Sequence, residues 1–528
     1  MNSGKGSGRT RTVWWAAGAA AVTAAVFLPA LWFPFLPFWD DDIHVHANPH
    51  IVQLSWGSIG ALWSGPWQQL YIPLTYSAWA GLAALSRMAA GWPPGSGPLD
   101  PAWFHGANIV LHAASAVLVF LLLRRVAGKF FPQSAPARLD VAAALGACFF
   151  ALHPLQTEPV AWVSGLRDVL GGCLGMAALV ILFGADRPGA GRMAAASLLF
   201  LASLAAKPSG VYLPLAATVL AVVPFRWPWP RITLVLAPWL AAGAAWVALT
   251  SHAQWAAELA RDLVPWWTRP LVAGDALAFY TGKVFWPAEL AADYGRAPDR
   301  MMSTGALWWS WLAPALLTAA LVAVKSWRIY LVPWALFVLA LLPTSGLVPF
   351  NFQVVSTVAD RYAYAALAGP ALALAMAVLQ IARPAATIAA AAIVVALAAA
   401  TSLRLPLWSE DVKLFAATLE VNPQSWKAKH NYASALDDRG RTAEAEQMMR
   451  GVIAARPDSA EAHNDHAVML WKLGRRSEAA EQMRRSLALR PTVGSARNLA
   501  VMERELGNAR AAEEADRIAR ELSEPAAR

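Results

Sequence analysis

Of the 528 residues 57% are hydrophobic and only 15% are charged, against roughly 25% charged in an ordinary soluble domain, which excludes a water-soluble globule and indicates a polytopic membrane protein. The 27 Trp fit that class, because an indole ring favours the bilayer interface, where its N–H stays wet. A net charge of +9 scattered over many loops excludes a nucleic-acid-binding patch, and two cysteines, Cys148 and Cys173, both in apolar runs, exclude a disulfide framework beyond that one pair.

The first apolar run, residues 13–33, follows Lys5, Arg9 and Arg11. It is longer than a signal-peptide core, and WFPFLPFWDDD lacks a small-residue cleavage site, so it is expected to be an uncleaved first span with a cytoplasmic N-terminus. An outer loop over 34–102 then opens on FWDDDIHVHANPH. A stop-transfer flank would carry Lys or Arg here, and carboxylates at a membrane edge must be solvated, paired or used. Further runs of spanning length lie near 103–123, 139–157, 165–184, 193–206, 209–225, 232–250, 304–324, 329–344, 362–381 and 385–403. The stretches 71–90 and 272–290 are interrupted by Pro, Asp or Lys and are expected to lie at the surface or re-enter it. A helix needs about 20 residues to cross the hydrocarbon, and the expected fold is an all-α bundle of about eleven spans over residues 1–403.

Threading the spans from a cytoplasmic N-terminus makes every inner connection basic: Arg124, Arg125, Lys129 and Arg138; Arg187 and Arg192; Arg226 and Arg231; Lys325 and Arg328; Arg383. The outer side collects Asp40, Asp41 and Asp42, His153 and Glu158, Arg167 and Asp168, Lys207, Asp293, Tyr294 and Arg296, and Asp360 and Arg361. Arg167, Lys207 and Arg361 are cations where the topology rule does not want them, and an anionic ligand is one reason for them. His105, Asn108 and His112 share one helical face and are read as packing and interhelical hydrogen bonding. His44, His46 and His50 beside the acidic cluster leave a divalent metal possible, on the weak signal of alternation in a loop.

Residues 404–528 are of another kind. Pro423, Pro457 and Pro491 fall 34 apart, and the same shift carries Ala433 to Ala467, Gly440 to Gly474 and Ala445 to Ala479. That period, with small residues at the helix crossing, is the signature of tetratricopeptide repeats, an α-solenoid whose concave groove holds a peptide.

The order FWDD…NP, YIPLTYSAW, WFHGANIVLHAASAVLVFLLLRR, FALHPLQTEPVAWVSGLRDVLGG, AAKPSGVYLPL, WPAELAADYG, GLVPF and ADRYAY before such repeats resembles bacterial relatives of the TMTC-type protein O-mannosyltransferases, GT-C membrane glycosyltransferases. The resemblance implies transfer of a sugar from a polyprenyl-phosphate carrier to a hydroxyl outside the cytoplasm, here at the bacterial inner membrane. It maps the family's acidic pair to Asp40 and Asp41 by a six-residue spacing before Asn-Pro, with Asp42 extra, so the pair Asp41 and Asp42 stays open. Where bacterial members often have Glu-Arg-Lys-Asp this chain has Gly165-Leu166-Arg167-Asp168, so only Arg167 and Asp168 carry over.

The chemistry agrees with the residues. An inverting displacement needs a carboxylate to take the acceptor proton, assigned to Asp40 or Asp41, and cations to hold the departing phosphate, assigned to Arg167, Lys207 and Arg361. His153, Glu158, Asp168, Asp293, Tyr294 and Asp360 are expected to support them. The donor is a substrate, no cofactor is implied with certainty, and expected partners are the lipid-linked sugar, membrane lipids and a peptide or protein acceptor on the repeats. The alternative class is a membrane-anchored repeat scaffold without catalysis.

Overall fold

The computed structural model describes residues 3–93, 95–251 and 260–523; the side chains of Lys5 and Arg9 lie outside the described residues, as do residues 524–528. The chain is helical, with no β-strand among the described residues, and divides into two compact units, Met1–Glu410 and Asp411–Arg528.

In the first unit the helices include α1 (Ser3–Phe27), α2 (Pro73–Ala89), α3 (Pro101–Phe130), α4 (Pro136–Leu152), α5 (Thr157–Ala161), α6 (Leu166–Phe183), α7 (Ala190–Ala206), α8 (Leu213–Val222), α9 (Trp229–Ser251), α10 (Arg269–Phe285), α11 (Leu312–Ala323), α12 (Leu331–Leu341), α13 (Ala368–Ile381) and α14 (Pro384–Arg404). Among the described residues seven helical stretches are long and apolar enough to cross a membrane: Thr10–Trp32, Pro101–Phe130, Val163–Phe183, Trp229–Thr250, Ala306–Ala323, Lys325–Thr344 and Pro384–Ser409. An eighth is the pair Pro136–Leu152 and Pro154–Ala161, bent by 51°. Pro154 causes the bend, since its ring blocks the preceding turn and it has no N–H to offer; the His153 imidazole caps the new start by accepting from Leu155 N–H at 3.2 Å.

Three expected spans are shorter as helices. Residues 193–206 fall in α7, 209–225 in Pro208–Val222, and 362–381 in Ala368–Ile381. The difference is local: Lys207-Pro208 stops α7, and Asp360–Ala363 is a 3-10 turn held by side chains instead of a helical start. The stretches at 71–90 and 272–290 form α2 and α10, which are not among the spanning helices.

Helices α3, α4, α6 and α13 pack as the centre of the bundle, and glycines allow the close approach. A Cβ on Gly146 would lie 2.6 Å from Ala371 O, and one on Gly172 would lie 2.5 Å from the Tyr364 ring. At the end of the bundle away from Asp40, the buried Asp140 carboxylate accepts from Arg124 Nε at 2.6 Å, Arg11 Nε at 3.1 Å and Thr12 Oγ1 at 3.1 Å. Asp186 pairs there with Arg125 at 2.7 Å and Lys129 at 2.5 Å.

Among the described residues the second unit has seven helices, α15 (Asp411–Val421), α16 (Trp426–Asp438), α17 (Thr442–Ala455), α18 (Ala460–Lys472), α19 (Arg476–Leu489), α20 (Val493–Glu505) and α21 (Ala509–Ser523). Their ends repeat. Ser425, Ser459 and Thr492 each cap the helix that follows, accepting from Ala428, Ala462 and Ser495 N–H at 2.9, 3.2 and 3.0 Å. Gly440, Gly474 and Gly507 end the same helices with φ of 77°, 78° and 80°, a conformation that glycine adopts without Cβ strain.

Candidate functional site

The end of the first unit that carries Asp40 is built from loops tied down by buried hydrogen bonds. After α1, residues 34–48 fold back against the segment between α5 and α6. The Trp162 indole N–H donates to Trp39 O at 2.8 Å, and Asn108 Nδ2 donates to Trp162 O at 2.7 Å. Gly165 closes the turn, since a Cβ there would lie 2.2 Å from Pro159 O.

The three adjacent acids have three different surroundings. Asp41 is fully buried: its Oδ1 accepts from Ser164 N–H at 3.0 Å and Ser164 Oγ–H at 2.6 Å, and its Oδ2 from Leu36 N–H at 2.9 Å. Burial pushes its pKa up to about 7, against the pull of these donors and helped by the charge of Asp40. Asp40 sits in the left-handed region with φ 73°, which Asp tolerates better than most residues, and this turn leaves its carboxylate 47% exposed and 3.9 Å from Arg167 Nη2. Asp42 Oδ1 accepts from Ile43 N–H at 2.7 Å, at an exposed position, and burial of the rest of the group raises its pKa.

The three cations converge, and each meets an acid. Arg167 lies 3.8 Å from Asp168 as well as 3.9 Å from Asp40, and stacks over Trp162 at 4.9 Å. Among the described residues it makes no hydrogen bond, so its five N–H donors have only distant charges to face. Lys207 Nζ is in contact with Asp168 Oδ1 and lies over the Tyr362 ring at 5.5 Å. Arg361 is enclosed by Phe352, Tyr362 and Trp162 at 4.4, 4.9 and 5.6 Å; its N–H donates to Glu158 Oε2 at 3.0 Å, and its guanidinium also pairs with Glu158. The charge of Glu158 and the burial of this pair act in opposite directions on the Arg361 pKa, and the net shift is upward. Arg167, Lys207 and Arg361 thus stand against Asp40, Asp168 and Glu158, a cluster in which Arg167 alone has loose partners and in which burial, with the charges of Arg167 and Arg361, pushes the Lys207 pKa well down.

Asp360 and Tyr294 form an adjoining network. Tyr294 Oη–H donates to Asp360 Oδ1 at 2.5 Å, and Arg404 Nη2 approaches Oδ2 at 3.5 Å while its Nη1 donates to Leu290 O at 2.7 Å. Burial raises the Asp360 pKa, aided by Glu158 and opposed by Arg404. Two expected site residues stand outside the cluster. Asp293 caps a turn by accepting from Gly295 N–H at 2.7 Å, and His153 is spent on the Leu155 cap and a 3.3 Å contact with Val284 O. Arg296 pairs with Asp275.

A metal would need several ligands facing one point. His44 Nδ1 instead meets Tyr76 Oη at 2.9 Å, His46 Nδ1 meets Asp41 O at 3.1 Å, and the His50 ring packs edge-on to Trp67. Among the described residues no group of three or more His, Cys, Asp or Glu is placed to hold a metal ion.

Sequence reading missed Ser164, Trp162, Tyr362 and Arg404. The first three lie inside the motifs VAWVSG and ADRYAY, but no charge or spacing marked them. No protein-family model matches the chain, and no curated protein matches it either.

Proposed function

We propose that the chain is a GT-C-type membrane glycosyltransferase that moves a sugar from a polyprenyl-phosphate carrier to a hydroxyl acceptor, a Ser or Thr of an exported protein, on the non-cytoplasmic face of a bacterial inner membrane. The observation that carries the reading is the pairing of a half-exposed carboxylate, Asp40, with a guanidinium, Arg167, that makes no hydrogen bond among the described residues. A phosphate oxygen supplies what Arg167 lacks, bidentately if two oxygens face it.

In the proposed step the acceptor oxygen attacks the anomeric carbon and its proton passes to Asp40. The bond from that carbon to the phosphate oxygen breaks, and the polyprenyl phosphate leaves against Arg167 with its electron pair. The configuration at carbon inverts. Asp41 holds the loop that aims Asp40, and its partial charge beside Asp40 makes the latter a stronger base. Lys207 and Arg361, each tied to an acid, shape the field and bind less directly.

The eleven-span topology fits if the seven long helices, the bent pair and the three short apolar helices all cross. It places the N-terminus in the cytoplasm and the second unit outside. The helix caps and glycines repeated in that unit support a tetratricopeptide reading, with a peptide or protein acceptor in its groove.

Purified protein in lipid nanodiscs, given radiolabelled polyprenyl-phosphate hexoses and exported-protein peptides, should release polyprenyl phosphate and label the peptide. Absence of transfer from every such donor, with an unchanged exported glycoproteome after gene deletion, would favour the scaffold.

A further inference from the structure

One uncharged side chain touches both halves of the proposed machinery. Trp162 is only 1% exposed and lies in the segment between α5 and α6, where its backbone carbonyl accepts from Asn108 Nδ2 at 2.7 Å. Its indole N–H donates to Trp39 O at 2.8 Å. That oxygen belongs to the peptide group joining Trp39 to Asp40, so the bond fixes the orientation of this peptide plane and with it the φ of 73° at Asp40. A residue other than glycine stays in the left-handed region only where its surroundings hold it there. The face of the same indole takes the Arg167 guanidinium at 4.9 Å and that of Arg361 at 5.6 Å. Since Arg167 makes no hydrogen bond among the described residues, this face and the acids Asp168 and Asp40, at 3.8 and 3.9 Å, are what position it. Trp39 and Trp408 pack against the indole in turn, with ring centroids 6.3 and 6.4 Å away.

We propose that Trp162 is a positioning residue that sets the base and the phosphate-binding cation in one geometry, its N–H holding the peptide plane that aims Asp40 and its ring face holding Arg167. The proposal rests on the glycosyltransferase reading and adds to it the group that spaces the two reactive side chains. Tryptophan suits the task because it joins an N–H donor to the aromatic face that attracts cations best. The acceptor proton and the departing phosphate must meet their partners in the same transition state, and a misplacement of about 1 Å can cost about a hundredfold in rate.

The test uses the full chain in nanodiscs with the polyprenyl-phosphate hexose that it transfers. Replacing the Trp162 indole by benzothiophene, through site-specific incorporation of benzothienylalanine, removes the N–H and keeps the shape and the ring face. It should lower kcat by about tenfold or more and leave the donor KM within about twofold of wild type. Trp162→Phe also shrinks the ring face, and should add to the loss in kcat a rise of about three- to tenfold in donor KM. In an Arg167→Gln chain that rise should vanish, because the face then has no Arg167 to hold. Wild-type kcat in the benzothiophene chain, a donor KM raised as much as kcat is lowered, or failure of that chain to accumulate would make Trp162 a packing residue and overturn the proposal while the transferase reading stood. If wild type transfers no hexose from any donor, both fall together.

Discussion

Asp40, Asp41 and Asp42 are consecutive in the chain yet chemically distinct, and Asn substitution separates them. Asp40→Asn removes the basic oxygen beside Arg167, so turnover should fall by about two orders of magnitude or more with donor affinity largely kept. Asp42→Asn, at a site where the carboxylate accepts from the next N–H, should be mild. Asp41→Asn should cost stability, about 1–3 kcal/mol, because an amide NH₂ must then face Leu36 N–H or the Ser164 donors. The Asp41 pKa also sets a pH window. Held near about 7 in the fold against an ordinary 3.8, this carboxyl binds more protons folded than unfolded between those values. Its contribution to stability is therefore fully present below about 3.8 and is lost as pH rises through about 7. Ser164→Ala removes a donor that favours the charged form and should move that loss to higher pH, measurable in melting curves across pH. The two arginines divide likewise. Arg167→Gln should leave folding intact and weaken use of the donor. Arg361→Gln strands the buried Glu158 charge and should destabilise by about 3–5 kcal/mol, seen as lost accumulation rather than altered KM.

At the scale of elements, the apolar runs and the 34-residue period were legible because each is a local pattern. The site was legible as a list of unusual residues at span ends and illegible as pairs. Glu158 holds Arg361 across 203 residues and Ser164 holds Asp41 across 123, and no spacing rule reaches that far. Arg361 pairs with Glu158 and not with the adjacent Asp360, whereas Arg167 lies within ion-pair distance of the adjacent Asp168. Asp140 went unremarked for the same reason, its partners Arg11 and Arg124 having been read as topology signals alone. Helix α10 illustrates a different use of pattern. Exposed Trp266 and Trp267 precede it, and exposed Phe285 and Trp286 end it. Aromatic rings at both ends suit a helix lying flat in the interface. Its 17 residues would separate the ends by roughly 25 Å in depth if it stood upright. Nitroxide labels at 266 and 286, in a chain lacking Cys148 and Cys173, should report nearly equal depth; a difference of that order would show a crossing helix.

For the whole molecule, the count of crossings decides whether Asp40 and the Lys207 turn reach the same face of the membrane. Helix α7 has 17 residues and spans roughly 25 Å, a few residues short of the hydrocarbon thickness, and α8 with its leading 3-10 turn is shorter still. Such helices cross only if the bilayer thins or their polar ends reach toward the interfaces, and Arg192 at one end of α7 with Lys207 at the other is suited to that. If α7 crosses, a single cysteine at 192 should react with a membrane-impermeant maleimide only after the cells are opened, whereas one at 209 should react in intact spheroplasts. Labelling of both from the same side would make α7 a re-entrant element. The Lys207 turn would then lie on the opposite face from Asp40, and since Lys207, Asp168, Arg167 and Asp40 form one chain of contacts, it is the crossing of α7 that this contact chain requires.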